Sequence, residues 1–405
     1  TEFDDEKGNI IFPDTEHTWD KNGRCEYCGA NSDTYGGGTN RENYAYPFIH
    51  DNFEKEFGNM KFDVIIGNPP YQLSFGNEGR NSAGASSIYH LFVDKAFELN
   101  PKYITMIMPS RWMTKNARGI PDGWTDKIIK DRRMKQINDF QNAREVFPTV
   151  DIKGGVSYFL WDSSHNGKCK FIQNINNDEK IEAEYYLDED DLGVIIRDIN
   201  ARSILKKILK NESNYHKKED KNFSSMVSPG SFFDYKDRFK TNWEGFSKEK
   251  TDEYSLEYHT NSFVSKTRKG WVKPEDVIRN KEVIGMNKVY INSVGNGEKF
   301  GPVLAKPFYG APNSICSETY LVIGYDYKKH NFSKEECLNI ISYIKTKFFR
   351  FMVDIKKSTQ HCRRGVYQFV PLQDFSKPWT DEELYKKYKL TQEEIDYIEN
   401  NIDPM

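Results

Sequence analysis

The stretch that most constrains this chain is Lys61 to Tyr71, KFDVIIGNPPY, a hydrophobic run that stops at Gly67 and opens into Asn68-Pro69-Pro70-Tyr71. Val64, Ile65 and Ile66 form a short β-branched run, the pattern of a strand buried on both faces of a parallel sheet, and the glycine and two prolines end it abruptly. The pattern predicts a central strand of an α/β sheet with the tetrapeptide at its carboxyl end. Open α/β sheets place their ligands there.

The residue types of the tetrapeptide suit one kind of chemistry. An exocyclic amine on a planar base or amide is a poor nucleophile because its lone pair is delocalised. Gripping its N–H groups draws the nitrogen toward tetrahedral geometry. Asn68 offers a side-chain carbonyl and Pro69 a backbone carbonyl, two adjacent acceptors for the two protons of one NH₂ group. Tyr71 supplies a flat face for a planar substrate, and the proline rings fix φ and stiffen the loop. A strand followed by a proline-stiffened turn is the plain structural alternative.

The full pattern, apolar-Asp63-apolar-apolar-apolar-Gly67-Asn-Pro-Pro-Tyr, resembles the signature of the S-adenosylmethionine-dependent amino-methyltransferases, above all the N6-adenine DNA methyltransferases of restriction–modification systems. The resemblance implies that Asn68 and Pro69 accept hydrogen bonds from the target amine and that Tyr71, after Pro70, stacks on a flipped base. It implies a Rossmann-like methyltransferase sheet, S-adenosylmethionine as cofactor and double-stranded DNA as partner. Glu145-Val-Phe-Pro148 is similar to the family segment whose aromatic ring packs on the other side of the flipped adenine, which gives that role to Phe147. Asp51 stands at about the family's distance for an acid bonding the cofactor's adenine, with Asn68 also on the cofactor side. The family's first motif, a strand ending in Gly-x-Gly, is not found: Gly36-Gly37-Gly38 has no hydrophobic strand before it and reads as a flexible turn. The chain is therefore expected to be the carboxyl-terminal portion of a larger protein, partnered by an upstream region of the same parent.

Composition bounds these expectations. A chain of 405 residues predicts two or three domains. With 14% aromatics it has the material for packed cores. A net charge of -3 means that a nucleic-acid surface has to be a local basic patch. No apolar run is long enough to span a membrane, and a cytoplasmic protein is expected. The six cysteines are scattered and read as reduced thiols. Only Cys25 and Cys28 are close, with the spacing of half a zinc site that His17 or His50 could complete. No second Cys-x-x-Cys follows, so the expectation is a knuckle without metal, with Cys25 and Cys28 the weak candidates for ligands.

Along the chain, residues 1–45 read as an irregular insertion or upstream remnant with one strand-like piece, Asn9 to Pro13. Residues 46–197 read as the partial catalytic domain. After the tetrapeptide come a Gly/Asn/Ser-rich mobile loop (Gln72 to Ser87), a helix (Ile88 to Leu99) and a buried strand (Tyr103 to Met108). A helix over Gly123 to Arg133 and strands at Ile137 to Phe140 and Val156 to Trp161 follow, the last led in by Lys153-Gly154-Gly155. Residues 198–375 read as an α+β target-recognition domain, with strands at Glu282 to Ile284, Lys288 to Ile291 and Thr319 to Ile323. One helix is expected from Lys334 to Lys357, burying Leu338, Ile341, Ile344, Phe348, Phe351 and Ile355 and leaving Lys345, Lys347 and Arg350 outside. The loop after it, with Lys356, Lys357, His361, Arg363 and Arg364, is the expected DNA contact. Residues 376–405 read as two short helices, each opened by a capping box, Thr380 with Glu383 and Thr391 with Glu394.

The function expected is site-specific adenine-N6 DNA methylation. The rivals are an amino-methyltransferase acting on RNA or protein glutamine, and a non-catalytic DNA-specificity fragment of a larger enzyme.

Overall fold

A computed structural model describes residues 17–29, 32, 48–50, 61–73, 86–150, 152–176, 178–213, 215–261, 268–295, 301–357 and 359–405. The chain divides into two units, residues 1–199 and 200–405. Among the described residues no helix is long and apolar enough to cross a membrane.

The first unit is α/β, built on a mixed six-stranded sheet. Its strands are β1 (Val64–Gly67), β4 (Tyr103–Pro109), β5 (Met134–Phe140), β6 (Val156–Asp162), β7 (Cys169–Asn174) and β8 (Lys180–Tyr185), in the spatial order β1-β4-β6-β5-β7-β8. A separate two-stranded ribbon pairs β2 (Gln72–Leu73) with β3 (Ser86–Ser87), so the ends of the expected loop are tied together. Helix α1 (Tyr89–Glu98) connects β1 to the parallel β4, a β-α-β unit, and α2 (Asp122–Lys130) connects β4 to β5. β6 runs antiparallel between β4 and β5, while β5 and β7 are parallel. The carboxyl ends of β1, β4 and β5 and the start of β6 therefore lie along one end of the sheet.

The core of this unit sits where α1 and α2 cover the sheet. Tyr89, Val93 and Ala96 of α1 and Trp124, Ile128 and Ile129 of α2 pack with Ile104, Met106, Ile137 and Phe159. Trp112 and Trp124 meet edge to face at 5.6 Å, and Thr125 donates to the Trp112 carbonyl at 2.9 Å.

β1 departs from expectation. Its only ladder partner among the described residues is β4, and its side chains alternate: Ile65 packs on the core, whereas Val64 and Ile66 are 48% and 78% exposed. A continuous apolar run predicts burial on both faces. Here one face is exposed, and among the described residues the strand lies at the edge of the sheet.

The second unit is α+β. Helix α3 (Ile199–Asn211) leads into it, and its strands are β9 (Leu256–His259), β10 (Lys269–Val272), β11 (Lys288–Asn292), β12 (Phe308–Gly310), β13 (Ser314–Cys316) and β14 (Tyr320–Ile323). They form two three-stranded sheets, β10-β9-β13 and β12-β11-β14, packed around Phe233, Tyr258, Tyr290, Ile315 and Val322. The strand expected at Glu282 to Ile284 is instead a single 3₁₀ turn at Lys281–Val283.

The long helix is two helices, α4 (Lys334–Lys345) and α5 (Lys347–Lys356). Thr346 breaks them: its backbone is extended, and its hydroxyl accepts from the Phe349 amide at 3.1 Å while donating to the Tyr343 carbonyl at 2.7 Å. The break resets the helical face. Leu338 is exposed, and Arg350, expected outside, is buried with its guanidinium donating to the carbonyls of Thr346, Lys345 and Asp403. The chain closes with α6 (Asp381–Lys387) and α7 (Gln392–Asn401), and both capping boxes are present as expected.

Candidate active site and nucleic-acid interface

The tetrapeptide stands at the carboxyl end of β1, where Gly67 still pairs with Met106 before the prolines stop the ladder. Asn68 is exposed, Pro69 is buried, and Pro70 and Tyr71 are half-buried. The Tyr71 carbonyl accepts from the Ile88 amide at 3.2 Å, which ties the loop to the start of α1. Its ring meets Tyr89 edge to face at 6.5 Å and rests on the core. Burial pushes its phenol up to about 12, and its hydroxyl has no partner among the described residues. The Tyr71 phenol is therefore uncharged at neutral pH.

Phe147 sits in the segment after β5, half-buried, with its amide donating to the Ala143 carbonyl at 2.8 Å. Two strands, β4 and β6, separate β1 from β5, so the roots of the two aromatic segments stand roughly 14 Å apart across the sheet end. No ring pair joins Tyr71 to Phe147 among the described residues. Beside Phe147, burial raises the Glu145 carboxyl, opposed by a hydrogen bond from Asn142.

Between these segments lies a network that residue patterns did not disclose. Asp139 of β5 is fully buried; it accepts from the Ser110 hydroxyl at the end of β4 and from the Arg197 guanidinium at Nε and Nη2, all at 2.8 Å. Arg197 also donates to the Gly154 carbonyl at 2.6 Å. The turn it holds requires glycine: Gly155 has φ +78°, and a Cβ there would lie 2.1 Å from the Phe140 carbonyl oxygen. Arg197 and Asp139 are 58 residues apart, beyond the reach of any local motif.

At the amino-terminal knuckle the structure brings Cys25 and Cys28 together with His17 and His50. Asp51, the acid expected on the cofactor side, lies outside the described residues, as do Asn9 to Pro13 and Gly36-Gly37-Gly38.

In the second unit the five basic residues at and after the end of α5 separate. Lys357 is only 4% exposed, with its ammonium 3.8 Å from the equally buried Asp354 carboxylate. Its place in the DNA contact is corrected: a buried, acid-facing ammonium does not meet a phosphate. Lys356 donates to Gln368 and lies over the Phe369 ring, and Arg364 donates through Nε to the Ser224 carbonyl. His361 and Arg363 are exposed.

Residues 1–147 match the family model of the Eco57I restriction-modification methylases. An adenine-specific methylase of Mycoplasma pneumoniae, itself uncharacterised, is 44% identical over 177 residues, which are 41% of this chain and 42% of that protein. The chain thus spans less than half the length of the curated relative it matches. Among solved structures, the DrdV–DNA complex is 14% identical with a TM-score of 0.40, covering 87% of this chain and 46% of that one. The type IIL restriction-modification enzyme MmeI in complex with DNA is 11% identical with a TM-score of 0.37, covering 92% and 60%. Residues 1–147 are thus similar to the Eco57I restriction-modification methylases, in keeping with the restriction–modification methyltransferase resemblance expected from Lys61 to Tyr71.

Proposed function

We propose that this chain is the catalytic-motif and target-recognition portion of an adenine-N6 DNA methyltransferase of a restriction–modification system. Its substrate is double-stranded DNA and its methyl donor S-adenosylmethionine. The observation that carries this reading is the placement of Asn68-Pro69-Pro70-Tyr71 at the carboxyl end of β1, with the Asn68 carboxamide exposed and the Tyr71 ring seated on Tyr89. The adenine-specific methylase name of the Mycoplasma relative supports the choice of base.

A base inside a duplex is out of reach, so the target adenine leaves the stack at a cost of roughly a few kcal/mol. Tyr71 and Phe147, on segments at the same end of the sheet, offset part of this by flanking the base. The Asn68 side-chain oxygen and the Pro69 carbonyl accept the two N–H bonds of the amine and aim its lone pair. S-adenosylmethionine supplies, when bound, a sulfonium methyl already activated toward nucleophiles, and Asn68 and Asp51 are the residues of this chain expected to hold it. The exposed Asn68 carboxamide suits that contact. Positioning then accounts for most of the catalysis. In the second unit, Arg363 and His361 supply the exposed basic contact to DNA, with Arg364 and Lys356 beside them.

The uncovered Val64 and Ile66 favour one addition to this reading: an upstream region of the same parent protein covers this flank of β1 and completes the cofactor side.

The test is transfer of a labelled methyl group from S-adenosylmethionine to unmethylated bacterial DNA, RNA and protein, by this chain alone and with its upstream region restored. Label recovered as N6-methyladenine from DNA supports the reading. Label in RNA or glutamine, or salt-dependent DNA binding with no transfer even in the longer protein, contradicts it.

A further inference from the structure

The four side chains gathered at the amino-terminal knuckle have a use that methyl transfer does not require. Residues 18–29 form a tight hairpin: Trp19 bridges Cys25 in antiparallel fashion, and the Glu26 amide donates to the Thr18 carbonyl at 2.9 Å. Asp20 caps its turn by accepting from the Asn22 and Arg24 amides at 2.7 and 2.9 Å. The chain then folds back at Cys25-Glu26-Tyr27-Cys28-Gly29, where the Gly29 amide donates to the Cys25 carbonyl at 2.8 Å and Gly29 takes φ +73°. This turn brings the Cys25 and Cys28 thiols together, with His17 arriving from the hairpin's amino-terminal side and His50 from the segment that leads toward β1.

Cys25, Cys28 and His50 are each no more than 3% exposed, and one ligand atom from each of the four residues lies within 4.8 Å of the others. Cys28 Sγ is 3.5 Å from His17 Nδ1, and Cys25 Sγ is 3.9 Å from His50 Nε2. Zinc–sulfur bonds of about 2.3 Å and zinc–nitrogen bonds of about 2.0–2.1 Å in a tetrahedron give sulfur–nitrogen edges of roughly 3.5 Å. The two sulfur–nitrogen distances, 3.5 and 3.9 Å, are close to that value. Cys25 and Cys28 are not joined by a disulfide, so the spacing does not arise from one. Two thiolates and two imidazoles form a soft donor set without a carboxylate, which selects zinc over magnesium or calcium.

The geometry points to a structural zinc site ligated by His17, Cys25, Cys28 and His50. The four protein ligands complete a tetrahedron and leave no open position for water or substrate, so the metal organises the fold and takes no part in the chemistry. It holds together parts that have little core of their own. Cys25 and Cys28 pack on Ile88 and Phe92 at the start of α1, and the Phe48 ring stacks on Phe92 at 6.1 Å. The ion thereby fixes the Phe48 to His50 segment against the helix that follows the tetrapeptide loop. The site stands whether or not the chain methylates adenine.

The test is elemental analysis of the full 405-residue chain, produced in zinc-replete medium and purified without metal-affinity resin, alongside cobalt replacement followed by absorption spectroscopy. One zinc per chain is expected, and the cobalt form should show the visible bands of a tetrahedral ion with sulfur-to-metal charge transfer in the near ultraviolet. Cys28→Ser and His50→Gln should each lose at least nine-tenths of the zinc, while His165→Gln, remote from the knuckle, should retain it. The unmodified chain decides the question even if the ligand variants fail to fold. A metal-free chain after zinc-replete expression, a cobalt spectrum without tetrahedral bands, or a Cys25–Cys28 disulfide in the freshly purified protein would overturn the site.

Discussion

Arg197 grips Asp139 with two parallel hydrogen bonds, Nε to Oδ2 and Nη2 to Oδ1, both at 2.8 Å, and the carboxylate is fully buried. The pair joins the end of the first unit to β5 and, through the Gly154 carbonyl, to the turn that opens β6. Removing one partner leaves a buried charge without compensation. Arg197→Ala is expected to lower the unfolding free energy by about 3–5 kcal/mol, read from the midpoint shift in urea. A loss under about 1 kcal/mol would mean that the turn is held by something else.

The basic loop after α5 contains a contrast between neighbours. Arg363 is exposed, whereas Lys357 is buried against Asp354. Arg363→Ala should weaken DNA binding and lower the slope of log affinity against log salt by about 1, with unfolding unaffected. Lys357→Ala should leave the salt slope of the folded protein unchanged while destabilising it. Salt-titrated shift assays and urea melts on both variants check this, and a reduced slope for Lys357→Ala would contradict the burial argument.

His259 makes the second unit sensitive to acid. Burial among Tyr290 and Phe308 pushes its imidazolium down to about 4 from the ordinary 6.5, with Glu257 opposing and Lys269 and Lys288 adding to the effect. Folding thus favours the neutral ring. Its contribution is complete above pH 6.5 and is lost as pH falls from about 6.5 to about 4, by at most roughly 1.4 kcal/mol per pH unit. Asp234, which burial pushes up to about 6, works with the opposite sign in part of this window. The comparison is therefore between the chain and His259→Gln: the variant should lose less stability between pH 6.5 and 4, whatever its starting value, and parallel curves would contradict the assignment.

Much of this architecture was legible because local and tertiary signals agree. The Tyr103–Pro109 and Val156–Asp162 strands and the α1 helix follow from apolar period alone, and the two terminal helices from capping boxes that the structure retains. The β-branched run of β1 signalled burial on two faces, but period cannot say whether the covering partner is among the described residues. Thr346 hid the break between α4 and α5, since one capping threonine inside an apolar repeat leaves the period nearly intact, and the turn it inserts buries Arg350. At the candidate site, the tetrapeptide was legible as a contiguous motif. The Asp139–Arg197 pair and the meeting of His17 and His50 at Cys25 and Cys28 depend on tertiary proximity, and the burial of Lys357 depends on packing that its charge alone argues against.

The central claim rests on Asn68. The most direct measurement is the initial rate of methyl transfer from S-adenosylmethionine to unmethylated DNA by the protein with its upstream region present, compared with Asn68→Ala. N6-methyladenine is the expected product, with a loss in the variant of about 10²-fold or more, the scale for removing one positioned hydrogen-bonding group from a reacting centre, and with DNA binding retained. Equal rates for the two proteins, or methyl groups recovered on any atom other than adenine N6, would contradict it.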